Sequence, residues 1–167
     1  MEIRPAVAED LPALVAIYNQ AIEAGRCTGD LVPFSVESRR GWWESRDLER
    51  FPILVAVLDD QVVGYASLSP YRPGRGALRH TAEVSHYVDF RHHRKGVGMG
   101  LVEAAIRTAG ESGYRTLLAI VVDGNESSLG LLRRCGFERW GFLPGVLDFD
   151  GTELGHVYLG RRIARTG

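Results

Sequence analysis

Residues 92–100 read HHRKGVGMG, so two histidines, an arginine and a lysine stand directly before alternating glycines. The preceding residues 86–90 are typical of a strand, and the apolar positions that follow the glycines recur at helical spacing. A helix that begins here has backbone amides without partners inside the helix, and such amides attract phosphate. The glycines leave these amides accessible, while Arg94 and Lys95 add positive charge. The stretch therefore predicts an anion-binding cradle, residues 94–99, between a strand and a helix.

The spacing of the glycines distinguishes the cradle from two nucleotide-binding patterns. The P-loop pattern GxxxxGK[ST] is absent, and the dinucleotide pattern GxGxxG fails because Leu101 stands where its third glycine would be. Both ATP and NAD are therefore disfavoured as ligands. A tight turn with close helix packing remains the structural alternative to anion binding.

The segments on either side of the cradle alternate between strand and helix patterns. Strands dominate the first half, and a strand–helix–strand–helix unit follows the cradle, which favours a mixed α/β fold over a doubly wound one. Strands are predicted at 3–5, in a hairpin over 52–68 that turns at Asp59–Asp60, and at 80–90, 115–122, 139–143 and 153–160. Helices are predicted from Glu9 to Gly25, from Ser35 onward, from Val97 to Gly113 and over 125–134.

Composition narrows the class of protein. The 167 residues, 45% of them hydrophobic, suit a single domain over 1–167. Twenty Lys and Arg nearly balance 21 Asp and Glu, so neither nucleic acid nor an anionic membrane is an expected partner. The acidic N-terminus does not resemble a signal peptide, and the apolar runs are shorter than the ~20 residues of a membrane span. We therefore expect a cytoplasmic protein, with the C-terminal residues 161–165 as a solvated tail.

The metal-ligating residue types form no recognisable site. The two cysteines, Cys27 and Cys135, have no ligand spacing between them, and the pair His92–His93 lacks a carboxylate at useful distance. No metal is expected.

Four segments together resemble a known family. RKGVGMG (94–100), GYRTLLAIV (113–121), GNESS (124–128) and LLRRCGF (131–137) are similar to the acyl-CoA-binding core of the GCN5-related N-acetyltransferase (GNAT) superfamily. YRPGRGALRHTAEVSHYV (71–88), among other segments, resembles the phosphinothricin and methionine sulfone or sulfoximine acetyltransferase branch. The resemblance implies a mostly antiparallel, twisted mixed sheet flanked by about four helices. It further implies acetyl-CoA as co-substrate, a small amino-acid-like amine as acceptor, and a homodimer.

The resemblance also implies which residues contact the coenzyme. Backbone contacts to the pantetheine arm fall on Tyr87 and Val88, and Asn125 matches the asparagine that contacts coenzyme in relatives, although an ordinary N-cap role is equally compatible. His93 occupies the first position of the superfamily's cradle pattern, where relatives carry glutamine or arginine. The expected diphosphate contacts are Arg94, Lys95, Gly96, Val97, Gly98 and Met99.

Acetyl transfer requires a neutral amine, so a base must accept a proton from the acceptor. Glu83 is flanked by the apolar residues Ala82 and Val84, and burial of a carboxyl raises its pKa toward neutrality. It also matches the glutamate of the family's TVE motif, here TAE. A solvated strand glutamate is the alternative interpretation.

Two departures from the family pattern affect the chemistry and the acceptor. Relatives carry tyrosine or histidine, able to protonate the leaving thiolate, where this chain has Leu132. The branch's basic turn implies Arg72, Arg75 and His80 as acceptor-binding residues near Glu83. However, residues 148–156 read DFDGTELGH and lack the branch's C-terminal signature. A protein N-terminus or an aminoglycoside as acceptor, or a non-catalytic CoA-binding module, therefore remain open alternatives.

Overall fold

The computed structural model describes residues 1–164 and consists of seven strands and four α-helices within that range. The strands are β1 Glu2–Pro5, β2 Ile53–Leu58, β3 Gln61–Pro70, β4 Thr81–Val88, β5 Thr116–Val122, β6 Glu138–Phe149 and β7 Thr152–Arg162. The helices are α1 Leu11–Glu23, α2 Val36–Glu44, α3 Val97–Glu111 and α4 Glu126–Arg134. This mixed architecture confirms the predicted fold class.

All strands lie in one sheet of order β1-β2-β3-β4-β5-β7-β6. Neighbouring strands are antiparallel except β4 and β5, which are parallel. This parallel pairing is short and joins only Thr81–Glu83 to Thr116–Leu118. Beyond Glu83 the two strands separate, so the edge of β4 over Val84–Val88 has no strand partner on this side. The sheet therefore contains a V-shaped opening at its centre.

The two faces of the sheet have different cores. Helices α3 and α4 pack on one face, where Leu101, Leu132 and Val84 belong to the larger buried cluster. Helices α1 and α2 pack on the other face against a smaller cluster that includes Ile17 and Tyr65. Because side chains alternate along a strand, Glu83 and the other odd-numbered residues of β4 lie on the α1/α2 face.

Local capping signals explain why the helices and turns begin and end as predicted. The Ser35 hydroxyl accepts a bond from the Ser38 amide at 3.1 Å and caps α2. Gly25, with φ of +68°, follows the end of α1. Asp59 and Asp60 both have positive φ, as a two-residue hairpin turn requires.

The C-terminal part departs from the sequence predictions in two places. Strand β6 extends beyond the predicted 139–143, because its mostly exposed residues and two register shifts obscure the alternation. The prediction of a solvated tail over 161–165 is wrong for Arg161 and Arg162, which pair with β5 as the end of β7. Arg161 donates to the Cys135 carbonyl and Arg162 donates to Thr116 Oγ1. Arg165 lies outside the described residues.

Helices long and apolar enough to cross a membrane are absent from residues 1–164. The same range contains no group of three or more His, Cys, Asp or Glu side chains placed to hold a metal ion.

A buried ion pair fixes the entry to α1. Arg4 donates two bonds to Asp10, at 2.7 and 2.9 Å, and Asp10 also accepts from the Val7 amide. The hydrogen bonds from Arg4 hold the pKa of Asp10 below its usual value, against the opposing effect of burial. The carboxylate is 7% exposed but the guanidinium is 33% exposed, so solvent screens the pair in part.

We expect Arg4→Leu to lower the free energy of unfolding at pH 7 by about 1–2 kcal/mol, less than for a fully buried pair. Because the folded pKa of Asp10 is lowered, the stabilisation is present above the unfolded pKa near 4 and is lost as the pH falls through the folded pKa. Urea unfolding at pH 7 and below pH 4 measures the free energy of unfolding of variant and wild type under the two conditions. A difference in this free energy that did not shrink in acid would contradict a stabilising role of the ionised Asp10.

Candidate active site

The opening between β4 and β5 forms a cleft of about 550 Å³. Its walls come from β4, β5, the cradle and one side of α4 along its length, with α1 contributing on the opposite face of the sheet. Among the residues that line it are Val84, Ser85, His86, Tyr87, Val88, His93, Arg94, Gly96, Val97, Gly98, Met99, Asn125, Leu131, Leu132 and Arg134. The cleft therefore brings most of the predicted coenzyme residues together.

The cradle has the backbone geometry of an anion-binding nest. Arg94 and Gly96 have φ of +59° and +83°, and Gly96 is the N-cap of α3. The alternation around Lys95 turns successive amides toward one side, and the first amides of α3 lack partners within the helix. A Cβ added at Gly96 would meet no described atom within 4 Å, so glycine serves the left-handed conformation here.

The other two glycines are explained by packing. A Cβ at Gly98 would lie 2.7 Å from Leu131 Cδ1 of α4, and a Cβ at Gly100 would lie 2.9 Å from Met1 Cε. The structural alternative of close helix packing is therefore correct for Gly98 and Gly100. Gly98 thus lets α3 lie directly against Leu131 of α4 beside the cleft.

Positive side chains surround the cradle. Arg94 and Lys95 are exposed at its rim, and Arg134 reaches the cleft from the end of α4. His93 is held beside them by its Nε2, which lies 3.0 Å from the Val88 carbonyl oxygen, and by its edge-on contact with Phe90. The histidine thus secures the turn between β4 and the cradle.

Val88 directs its backbone groups to the open edge of β4, whereas those of Tyr87 face β3, as does the amide of Asp89, which donates to the Val63 carbonyl at 2.9 Å. In the register of the two strands, Tyr87 and Val88 lie opposite Tyr65 and Gly64 of β3. The Tyr87 ring packs edge-on against Tyr18, with centroids 4.8 Å apart, on the α1/α2 face. Burial raises the pKa of Tyr87. The Tyr87 side chain is therefore engaged in the α1/α2 core, which leaves the open edge of β4 to the main chain and to side chains of the opposite face such as His86.

Glu83 lies one residue before the cleft opens, at the last parallel pair with β5. Burial raises the pKa of its carboxyl. Burial raises the pKa of Tyr158 of β7, the Glu83 carboxylate adds to this rise, and the Arg72 guanidinium opposes it. Tyr158 and the groups that act on it, Tyr71, Glu83 and Arg72, are here called the acceptor cluster.

The three predicted acceptor-binding residues occupy different places. Arg72, with φ of +51°, belongs to the acceptor cluster. Arg75 is exposed on the same turn. His80 is at the opposite end of β4 from the cradle, with Nδ1 3.2 Å from the Gly113 carbonyl oxygen. Arg72 and Glu83 thus share Tyr158 as a neighbour, whereas His80 is bound to the turn at Gly113.

Asn125 is the N-cap of α4, where its Oδ1 accepts the Ser128 amide at 3.2 Å. It also lines the cleft, and its Nδ2 has no hydrogen-bond partner within residues 1–164. The capping role and a contact with a ligand are therefore compatible.

Helix α4 lines the cleft with the polar Ser127, Ser128 and Arg134 and with the apolar Leu131 and Leu132. Leu132 is completely buried in the larger core cluster, and Leu131 contacts the Gly98 position. Neither side chain carries a proton that a leaving group could accept.

Two residues of the site escaped the sequence analysis. Tyr158 is 75 residues from Glu83 along the chain, and only the placement of β7 between β5 and β6 brings it near. His86 reads as an ordinary strand position, yet it lines the cleft on the α3/α4 face. The alternation of side chains along β4 determines the face of the sheet on which His86 lies, but no local sequence pattern indicates the cleft.

Known proteins resemble this chain over nearly its whole length. The model of the acetyltransferase (GNAT) family matches residues 15–137. An L-methionine sulfoximine/L-methionine sulfone acetyltransferase of Pseudomonas paraeruginosa is 39% identical, over 94% of this chain and 91% of that protein.

Solved structures agree with this assignment. A ribosomal-protein-alanine N-acetyltransferase from Brucella melitensis superposes with a TM-score of 0.91 at 38% identity, covering 97% of this chain and 99% of that one. A GNAT superfamily phosphinothricin acetyltransferase from Sinorhizobium meliloti, in complex with AcCoA, has a TM-score of 0.91 at 28% identity, covering 99% of this chain and 90% of that one. These likenesses confirm the predicted resemblance, and the chain belongs to the acetyltransferase (GNAT) family of enzymes.

Proposed function

We propose that this enzyme transfers the acetyl group of acetyl-CoA to the primary amine of a small amino-acid-like substrate. The observation that carries the proposal is the cleft that runs from the cradle along the open edge of β4 to Val84, the residue next to the buried Glu83. The AcCoA in the Sinorhizobium structure and the amino-acid substrates in the Pseudomonas enzyme's name support it.

The coenzyme would occupy the cleft along its length. The amides of residues 94–99, with Arg94 and Lys95, would hold the diphosphate. The pantetheine arm would pair as an added strand with the main chain of β4 that faces the cleft, at Val84, His86 and Val88, because the backbone groups of the predicted Tyr87 face β3. Val84–Val88 spans about 13 Å, which suits an extended arm between a diphosphate and the acyl group. Asn125 would contribute its free Nδ2.

Acetyl transfer forms one carbon–nitrogen bond and requires a base that accepts a proton from the acceptor. Glu83 would accept a proton from the ammonium form of the acceptor, directly or through water. The neutral amine would then attack the thioester carbonyl, and the carbon–sulfur bond would break as the tetrahedral intermediate collapses. Because Leu132 has no proton to give, the second proton that the nitrogen loses would pass through water to the departing thiolate, and Glu83 would return its own proton to solvent. Arg72 would bind a substrate carboxylate bidentately.

A calorimetric and thermal-shift series with acetyl-CoA, CoA, ATP and NAD tests the coenzyme. We expect binding and a raised melting temperature with acetyl-CoA and CoA, and no effect of ATP or NAD. Thiol release is then measured with methionine sulfone, phosphinothricin, proteinogenic amino acids, an aminoglycoside and a peptide with N-terminal alanine. Turnover with the amino acids supports the proposal, whereas CoA binding without turnover of any amine supports a non-catalytic module.

A protein N-terminus is the second candidate acceptor. The Brucella relative is named a ribosomal-protein-alanine N-acetyltransferase and is 38% identical to this chain. The peptide arm of the same panel separates it from a small amino acid.

The homodimer and the cytoplasmic location that the resemblance and composition imply are part of this proposal. The exposed apolar side chains of Trp140, Phe142, Leu143 and Val146 lie along β6, a strand at the edge of the sheet, and support self-association. Arg75 and His80 stay predictions as acceptor contacts.

A further inference from the structure

His86 is a polar ring on an otherwise apolar strip of the cleft. Val84 and Val88 flank it on the same face of β4. Its Cδ2 lies 4.0 Å from the position that a Cβ of Gly98 would occupy, beside Leu131. His86 therefore stands on the coenzyme path, between the cradle at one end and Glu83 at the other.

The ring nitrogens of His86 have no protein partner. His80 and His93 bring a ring nitrogen within hydrogen-bond distance of a backbone carbonyl, whereas His86 makes no hydrogen bond within residues 1–164. Burial lowers the pKa of His86 to about 4, so the ring is neutral at physiological pH. A neutral imidazole presents one N–H donor and one nitrogen acceptor.

An occupant of the cleft would replace the solvent that can reach these nitrogens. An all-carbon chain would leave them without partners, which is unfavourable for buried polar groups. The pantetheine arm of CoA carries two amides and a hydroxyl, which can bond to imidazole. We propose that His86 hydrogen-bonds to the pantetheine arm and makes the cleft selective for carriers with a polar arm; this rests on the proposed function.

The test compares His86→Leu with His86→Gln by calorimetry, using CoA and its fragment 3′-phosphoadenosine 5′-diphosphate. The fragment has the phosphates but no arm. We expect His86→Leu to bind CoA about 5- to 30-fold more weakly and to bind the fragment as wild type does. His86→Gln, which keeps a donor and an acceptor, should restore CoA affinity to within about threefold of wild type. In 15N-histidine spectra, the His86 resonances should shift with CoA but not with the fragment.

Each other outcome overturns the inference. Equal losses for CoA and the fragment would indicate a structural role for His86, as would a Gln variant no better than Leu. Unchanged CoA affinity in His86→Leu would reject the contact between His86 and the pantetheine arm, while the proposed coenzyme site would stand. Wild-type protein that binds neither ligand would instead reject the proposed function itself.

Discussion

The Glu83→Gln enzyme should turn over about 100- to 10,000-fold more slowly than wild type at neutral pH, the range typical of a lost general base. Glutamine has nearly the same shape but cannot accept the proton of the acceptor ammonium. Glu83 lies beyond the end of the cleft, so the affinity for acetyl-CoA should stay within about twofold of wild type. Steady-state rates and calorimetry on the same preparations measure both quantities.

The pH profile gives a second readout of the same role. Only the ionised carboxylate is a base, and burial raises the pKa of Glu83. The rate should therefore rise with pH through this raised pKa in the wild type, and this rise should disappear in the variant.

The stability of the Glu83→Gln variant provides a check on folding. Because the folded pKa of Glu83 is raised, the folded state holds the proton more tightly than the unfolded state, and ionisation costs stability above the unfolded pKa. The glutamine variant should consequently be no less stable than wild type at pH 7. Glu111→Gln, which removes an exposed carboxylate at the end of α3, is the matched control and should leave rate and affinity unchanged. A Glu83→Gln rate within threefold of wild type would exclude Glu83 as the base.

A larger side chain at Gly98, between α3 and α4, should have the second largest effect on the enzyme. We expect Gly98→Val to weaken acetyl-CoA binding about 10- to 100-fold and to destabilise the fold by about 1–3 kcal/mol, the usual cost of overpacking. The first carbon of the new side chain would lie 2.7 Å from Leu131 Cδ1 and 3.5 Å from Val88 Cγ2. Rotation of the Leu131 side chain can relieve the clash with the Cβ atom. The two further methyl groups of valine, however, leave no room unless α4 or β4 moves.

Gly130→Ala is the matched control for this prediction. Gly130 is inside α4, and a Cβ there would meet only Arg134 Nη1, at an ordinary 3.7 Å. Since alanine favours the helix by about 0.5–1 kcal/mol over glycine, this variant should be more stable and bind acetyl-CoA normally. Urea unfolding and calorimetry compare the two. Normal coenzyme affinity in Gly98→Val would show that coenzyme binding does not depend on the close contact of α3 with Leu131.

Local sequence patterns were sufficient for most of the secondary structure and for one end of the site. Caps, left-handed glycines and apolar periodicity act over a few residues, so the signals at Ser35, Gly25 and Asp59–Asp60 could be interpreted directly. The cradle belongs to the same class, because a glycine N-cap and the free amides of a helix start depend on adjacent residues. Gly98 marks the limit of such reasoning, since its need for a small side chain arises from Leu131, 33 positions away.

The acceptor cluster and the cleft depended on long-range pairing. The pairing of β4 with β5 ends at Glu83 and Leu118, and neither strand's pattern of apolar residues encodes this end. Strand β7 enters the sheet between β5 and β6 and carries Tyr158 to a site that Glu83, Tyr71 and Arg72 also reach. Short-range stereochemistry thus specified the parts of this enzyme, whereas burial of two separate cores decided which parts meet.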